Sequence, residues 1–191
     1  MNNRTILFIS LLCLNLLFSL NGYCEDKYLP LTEESILNTH IFTSFKERKV
    51  KLTNGIYREK TPNPQKRVAV LKDLIVRGDL NNDGNEDIGV IYVENGGGNG
   101  ESVILAVFLN EKGKPRNIDS YLIGDRIYVE KIYYKKASIF VQAVIQGEND
   151  ALCCPSERVL MKFILKNNKL VKDREITLRK NVNPLAKHHG N

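Results

Sequence analysis

The sequence predicts a mainly β protein: a single antiparallel β-rich domain, either a sandwich or a strongly curved sheet, with a short N-terminal helix. Three observations carry this. Runs dense in Val, Ile, Leu and Tyr recur at short spacing from residue 49 to 178, as strands do. Between them stand Asn-Gly, Gly-Lys, Asn-Asn and Gly-rich punctuation, the residues of tight turns. The most specific motif, an acidic loop at residues 79–87, occurs once, which speaks against a propeller or solenoid of repeats.

The chain has 191 residues. Met1–Arg4 is short and basic, and Ile6–Leu20 is apolar with only Ser10, Asn15 and Ser19 interrupting it. That pattern fits the n- and h-regions of a secretory signal peptide and is short for a bilayer span of about 20 residues. Gly22 and Cys24 stand where a signal peptidase cutting before Glu25 needs small residues. The expected division is a signal peptide at 1–24, a lead-in at 25–48, a β-rich domain at 49–178 and a flexible tail at 179–191. Cys24 as a lipidated first residue is the rival reading, and Tyr23 just before it counts against that. The expected location is therefore exported, periplasmic or secreted, with lipid anchoring through Cys24 as the alternative. A membrane contact is expected only if Cys24 is lipidated or the signal stays uncleaved.

Within the lead-in, "TEESILNTHIF" has an acidic start after Thr32, and Ile36, His40 and Ile41 fall at helical spacing, so a short helix is expected there. "VKLTNGIYRE" reads as two short strands around Thr-Asn-Gly. "TPNPQ" reads as a loop and "RVAVLKDLIVRGDL" as strand. "DIGVIYVE" is a near-continuous β-branched run, which predicts a central strand buried on both faces. "SVILAVFLN" follows as its hairpin partner across "ENGGGNGE". "EKGKPRN" reads as a turn, and "SYLIG", "RIYVEKIYY" and "SIFVQAVIQ" as strands. "RVLMKFILKNNKLVKD" reads as a hairpin with Asn167 and Asn168 at its tip.

The formal net charge is +6, and removing residues 1–24 lowers it by one. The excess is scattered, with "KERKVK" and "KNNKLVKDREITLRK" the densest stretches. Nucleic-acid binding calls for a basic patch interleaved with aromatics, so no nucleic acid is expected and the partner is an unknown envelope or extracellular one. Cys13 and Cys24 fall in the signal, which leaves Cys153 and Cys154, adjacent in "DALCCPS". Export implies a compartment in which disulfides persist. A strained vicinal disulfide, two reduced thiols, and redox or soft-metal chemistry are the open readings of this pair. His40, His188 and His189 are all distant from it in sequence.

The acidic loop is "DLNNDGNED". Counting from Asp79, oxygen-bearing residues fall at positions 1, 3, 5, 7 and 9: Asp79, Asn81, Asp83, Asn85 and Asp87, with Gly84 at position 6. Calcium takes six to eight oxygen ligands, and alternate residues of a tight loop supply them, a glycine making the bend. Without a cation the three carboxylates repel one another. Val90 stands where an EF-hand needs its bidentate Glu, and a strand rather than a helix follows. The ordinary Asx-rich turn with no ion is the competing reading.

The flanked loop, "VRGDLNNDGNEDIGVIYV", resembles the calcium loops of FG-GAP and VCBS-type repeats, which lie between β-strands. The resemblance implies side-chain ligation by Asp79, Asn81, Asp83 and Asp87, carbonyl ligation by Asn85, and a bracing role for the ion. It does not carry over the propeller, since one copy is present. The wider pattern "GDLNNDGNED…VENGGGNGES…IGDR…CCPS" is similar to a group of small exported bacterial proteins of uncharacterised function, some of them lipoproteins. That likeness implies a single β-rich domain and no activity.

Other chemistry is thinner. Gly96, Gly97 and Gly98 are candidates for presenting N–H groups to an anion or for folding toward the acidic loop, against the plain reading of a hairpin tip. No G-x-S-x-G nucleophile motif is present. Glu94, Glu101, Asp125, Glu148 and Asp150 are the carboxylates open to a hydrolytic role, against ordinary solvated charge. The functional expectation is an exported binding or structural protein with a calcium-stabilised loop. The alternatives are an envelope hydrolase using loop carboxylates, or a thiol-redox protein using Cys153 and Cys154.

Overall fold

The computed structural model describes residues 29–44, 49–59, 66–151 and 153–178. The signal, the loop at 61–65 and the tail at 179–191 lie outside the described residues, and no described helix is long and apolar enough to cross a membrane. Among the described residues the fold is mainly β, with one short helix near the N-terminus, as the sequence predicts. Helix α1 is Glu33–Leu37, and the strands are β1 His40–Ile41, β2 Val50–Lys51, β3 Ile56–Arg58, β4 Arg67–Gly78, β5 Asp87–Asn95 and β6 Ser102–Glu111. They continue with β7 Lys114–Asp125, β8 Tyr128–Tyr134, β9 Ser138–Ile145, β10 Glu157–Lys166 and β11 Lys169–Thr177.

Every pairing is antiparallel. One sheet has the order β3-β4-β5-β6-β7, a second β11-β10-β9-β8, and β1 pairs with β2 in a small third sheet. The two main sheets pack face to face. Alternation along each strand decides which side chains enter which layer. Ile91, Val103, Leu105 and Val107 point toward the four-stranded sheet and meet Val141, Val159, Met161 and Phe163. Tyr121 crosses this interface edge-on to Phe163, with ring centroids 5.0 Å apart. Gly89 faces the same way, and a Cβ there would stand 2.6 Å from Ile139, so the missing side chain lets the sheets close.

Ile88, Val90, Tyr92, Ile104, Ala106 and Phe108 point the other way, under a lid made by the lead-in. Leu31, Ile36, Leu37, Ile41, Val50 and Leu52 are buried there. Strands β5 and β6 are thus covered on both faces, which is why "DIGVIYVE" and "SVILAVFLN" are apolar throughout rather than alternating. The described lead-in residues, 29–44, thus contribute to the domain's core.

Three local expectations change. Thr32 caps α1, its Oγ1 accepting from the Ser35 N–H at 3.1 Å, but the helix ends at Leu37, and His40–Ile41 is strand rather than helix. Asn54 and Gly55 make the expected turn at φ 51° and 81°. The strands it joins part company, however: β2 pairs with β1 and β3 with β4. The "EKGKPRN" turn shrinks to Lys112–Gly113, and Lys114–Asn117 join β7.

Register breaks bend the sheets. Strand β4 pairs Val70 with Tyr92 and then Ile75 with Val90, leaving Leu71–Leu74 opposite Ile91 alone. Strand β7 is bulged twice against β6. Bulges raise local twist and bend the strand, so β4 comes to lie beside β8 and β7 beside β11. Asp119 joins the second seam, its Oδ2 accepting from the Leu170 N–H at 2.7 Å.

Candidate metal loop and its supports

The acidic loop connects β4 to β5 and winds around its own oxygens. Asp79 accepts the Asp83 N–H on Oδ1 at 3.1 Å and the Gly84 N–H on Oδ2 at 3.0 Å. Asn81 Oδ1 also accepts from Asp83 N, at 3.1 Å, and the Asn81 amide donates to Asp83 Oδ2 at 2.7 Å. Asp83 Oδ1 accepts the Asn85 N–H at 2.7 Å. Two residues turn left-handed to allow this, Asn82 at φ 62° and Gly84 at φ 87°. Asn and Gly are the residues that adopt this conformation at least cost.

Asp87 is placed differently. It is fully buried, and its two carboxylate oxygens accept the N–H groups of Leu80 at 3.0 Å and Asn110 at 3.0 Å. It therefore pins the loop to the end of β6. Burial pushes its carboxyl above the usual range; the two N–H donors oppose this, and the charges of Asp83 and Asp79 reinforce it. For Asp83, slight burial works toward a higher value, but hydrogen bonds from Asn81 and Asn85 outweigh it and hold the carboxyl below the usual range.

Three further residues support the loop, and no sequence motif marks them. Tyr134 donates its hydroxyl to the Asp79 carbonyl at 3.0 Å and accepts the Ala137 N–H at 3.2 Å. Its ring lies on the backbone of Gly78, where a Cβ would be 2.4 Å from ring carbons. Asn110 donates from Nδ2 to the Leu29 carbonyl at 2.9 Å and accepts from the Gly113 N–H at 2.8 Å. Arg77 Nη1 donates to the Leu31 carbonyl at 2.7 Å and to Glu86 at 3.3 Å.

The loop can be tested for its fit to a calcium ion. An ionised carboxylate has about four lone-pair sites. Asp79 and Asp83 spend two each on the hydrogen bonds above, so oxygen sites remain on both. Among the described residues no three His, Cys, Asp or Glu side chains gather closely enough to hold a metal. A bound ion would thus draw on two carboxylates, Asp79 and Asp83, with Asn81 and the Asn85 carbonyl adding neutral oxygens. Asp87 stands behind this set as a brace.

The glycine tip lies elsewhere. Strand β5 has the acidic loop at its start and Gly96–Gly98 at its end, roughly 25 Å apart at strand rise. The two loops therefore do not rim one site. Asn95 organises the tip locally, accepting the Gly97 N–H at 2.7 Å and donating to the Gly98 carbonyl at 3.3 Å.

Cys153 and Cys154 are free thiols, and both are exposed; no vicinal disulfide joins them. Asp150 shapes their loop by accepting the N–H groups of Gly147 at 2.8 Å and Ser156 at 2.7 Å. The Cys154 thiol is pushed up, first by its hydrogen bond with Cys153, then by partial desolvation and by the charges of Cys153 and Asp150. That lowers its thiolate fraction and its nucleophilicity.

The remaining carboxylates divide between core and surface. Glu94 is buried and accepts the Ser44 N–H at 3.0 Å on Oε2 and 3.1 Å on Oε1, with the Ser44 hydroxyl also donating to Oε2. Glu101 pairs with Arg67 at 2.7 Å and Asp125 with Arg126 at 3.1 Å. Glu148 and His40 are exposed. Compared with known proteins, the chain matches no family model, no curated protein and no solved structure.

Proposed function

We propose that this is an exported binding or structural protein, periplasmic or secreted, whose Asp79–Asp87 loop takes a calcium ion that braces the entry to β5. One observation carries the reading. Asp79, Asn81 and Asp83 converge within a loop that curls its own N–H groups onto them, and buried Asp87 anchors that loop to the core. An ion there would neutralise carboxylates that otherwise repel, at a connection that leads into a strand covered on both faces. The apolar run Ile6–Leu20 with Gly22 and Cys24 supports export.

A hydrolytic role finds less support, because Glu94 is buried against Ser44 and Glu101 and Asp125 are paired with Arg67 and Arg126. A thiol-redox role rests on the exposed pair Cys153 and Cys154, and the raised value of Cys154 weighs against it.

Melting curves in calcium and in chelator, on the parent and on Asp83→Ala, test the proposal. Calcium at a hundredfold excess over Kd stabilises by about 2.7 kcal/mol, so chelator lowers the parent melting temperature and leaves that of Asp83→Ala unmoved. A parent that melts identically in both would sink the calcium reading.

A further inference from the structure

The seam between β4 and β8 opens into a cleft that the interactions above do not fill. The two strands are neighbours there without a shared ladder, and the extra residues Leu71–Leu74 carry β4 away from the line of β5. Bulges of this kind re-aim side chains and are common beside binding sites. The cleft has a volume of about 460 Å³, within the roughly 300–1,000 Å³ of small-molecule pockets. Tyr133, Tyr134 and Ile132 line it together with the charged Glu33, Lys72 and Arg77.

The aromatic part is fixed in place. The Tyr134 hydroxyl is held at both ends, by the Asp79 carbonyl and by the Ala137 N–H. Tyr133 stacks flat on Phe140, with centroids 5.0 Å apart and the planes 4° from parallel. The charged part is only partly satisfied. Arg77 uses Nη1 on the Leu31 carbonyl and Glu86, which leaves the other donors of its fork. Lys72, on the crest of the bulge, is exposed and forms no ion pair among the described residues. In the lining two cations thus face one acid across rigid rings, with Glu86 beside Arg77 at 3.3 Å.

We propose that this cleft binds a small carboxylate carried on a ring. The carboxylate meets Lys72 and the free donors of Arg77, the ring lies against the tyrosines, and any ring hydroxyl donates to Glu33. An acidic sugar and an aromatic acid share this chemistry. The proposal does not rest on the calcium reading, so titrations are run in chelator as well as in calcium.

The test is calorimetric titration of the chain with glucuronate, benzoate and neutral glucose, on the parent, Lys72→Glu and Lys72→Gln. At least one carboxylate is expected to bind, with glucose about tenfold weaker or more, a gap of about 1.4 kcal/mol. Lys72→Glu loses at least that factor and Lys72→Gln a smaller one, while both melt with the parent because residue 72 is exposed. Raising salt weakens carboxylate binding, as screening requires. Binding of glucuronate alone assigns the acidic sugar, and of benzoate alone the aromatic acid. The proposal is overturned if neither carboxylate binds, if glucose binds equally well, or if Lys72→Glu binds like the parent.

Discussion

Replacing Gly78 by Ala probes the joint between the acidic loop and the second sheet. A Cβ at this position would stand 2.4 Å from Cγ and Cδ2 of Tyr134 and 2.5 Å from Cδ1. Carbon atoms in contact prefer about 3.5–4.0 Å, so the ring must retreat by roughly 1 Å. The obstacle is the root of an aromatic ring, which has little freedom to swing clear. Overpacking of this kind costs about 1–3 kcal/mol. The retreat also pulls the hydroxyl off the Asp79 carbonyl and the Ala137 N–H, now at 3.0 and 3.2 Å, at about 1 kcal/mol each. Against this, Ala at a compatible backbone position restricts the unfolded chain and returns about 0.4–1 kcal/mol; Gly78 is not among the positive-φ glycines.

The net expectation is a loss of about 3 kcal/mol, or roughly 6–12 °C in melting temperature for a domain of this size. Thermal melting followed by near-ultraviolet circular dichroism reads it through the tyrosines. In a Tyr134→Ala background the same substitution becomes neutral or slightly stabilising, so the double-mutant cycle should show a coupling of about 3 kcal/mol. A Gly78→Ala protein that melts with the parent would refute the packing argument. An equal loss with and without the Tyr134 ring would place the cost somewhere other than this contact.

Asp87→Ala leaves the N–H groups of Leu80 and Asn110 without their acceptor and is expected to cost about 2–5 kcal/mol, read by urea unfolding; a loss under 1 kcal/mol would contradict its bracing role. Burial holds the Glu94 carboxyl above the ordinary glutamate range, with the hydrogen bonds from Ser44 opposing. A raised acid binds more protons folded than unfolded, so this group's contribution to stability falls as pH rises from the ordinary glutamate range through its higher folded value. Glu94→Gln removes that downward component, and an unchanged pH–stability slope in the variant would contradict it. Asp119→Ala opens the β7–β11 seam at the Leu170 N–H and is expected to cost about 1–2 kcal/mol. Most of that is hydrogen bond rather than the Lys169 pair at 3.5 Å, whose lysine is 72% exposed, so added salt should change the loss little.

Much of the strand inventory was legible because strand burial writes a period into the chain. "DIGVIYVE" has no polar alternation, and a strand without it must be covered on both faces; the structure covers β5 on both. The Asn-Asn tip at 167 and 168, at φ 52° and 59°, was legible because few residues turn left-handed cheaply. The lead-in was harder to read. Leu31, Ile36, Leu37 and Ile41 are irregularly spaced because they cover a curved sheet from a loop, a single helical turn and a short strand. No single period describes such a segment. The hairpin around Asn54 and Gly55 misleads for a related reason: a turn is encoded locally, but the partner of each flanking strand is chosen by long-range packing.

The candidate site divides in the same way. Asp79, Asn81, Asp83 and Gly84 sit within six positions of one another, so sequence alone determined that their oxygens share a tight turn. It could not assign Asp87, which has the spacing of a ligand and the burial of a core residue. What tells the two apart is Asn110, 23 positions away. Nor could it supply Tyr134, 55 positions from Asp79, or the cleft beneath the β4 bulge. Strand character, turn chemistry and the oxygen spacing of the loop are local properties, set by backbone sterics and side-chain type. Which face each strand buries, what braces the loop and where the sheets part depend on contacts between distant segments, and those exist only once the sheets have closed on one another.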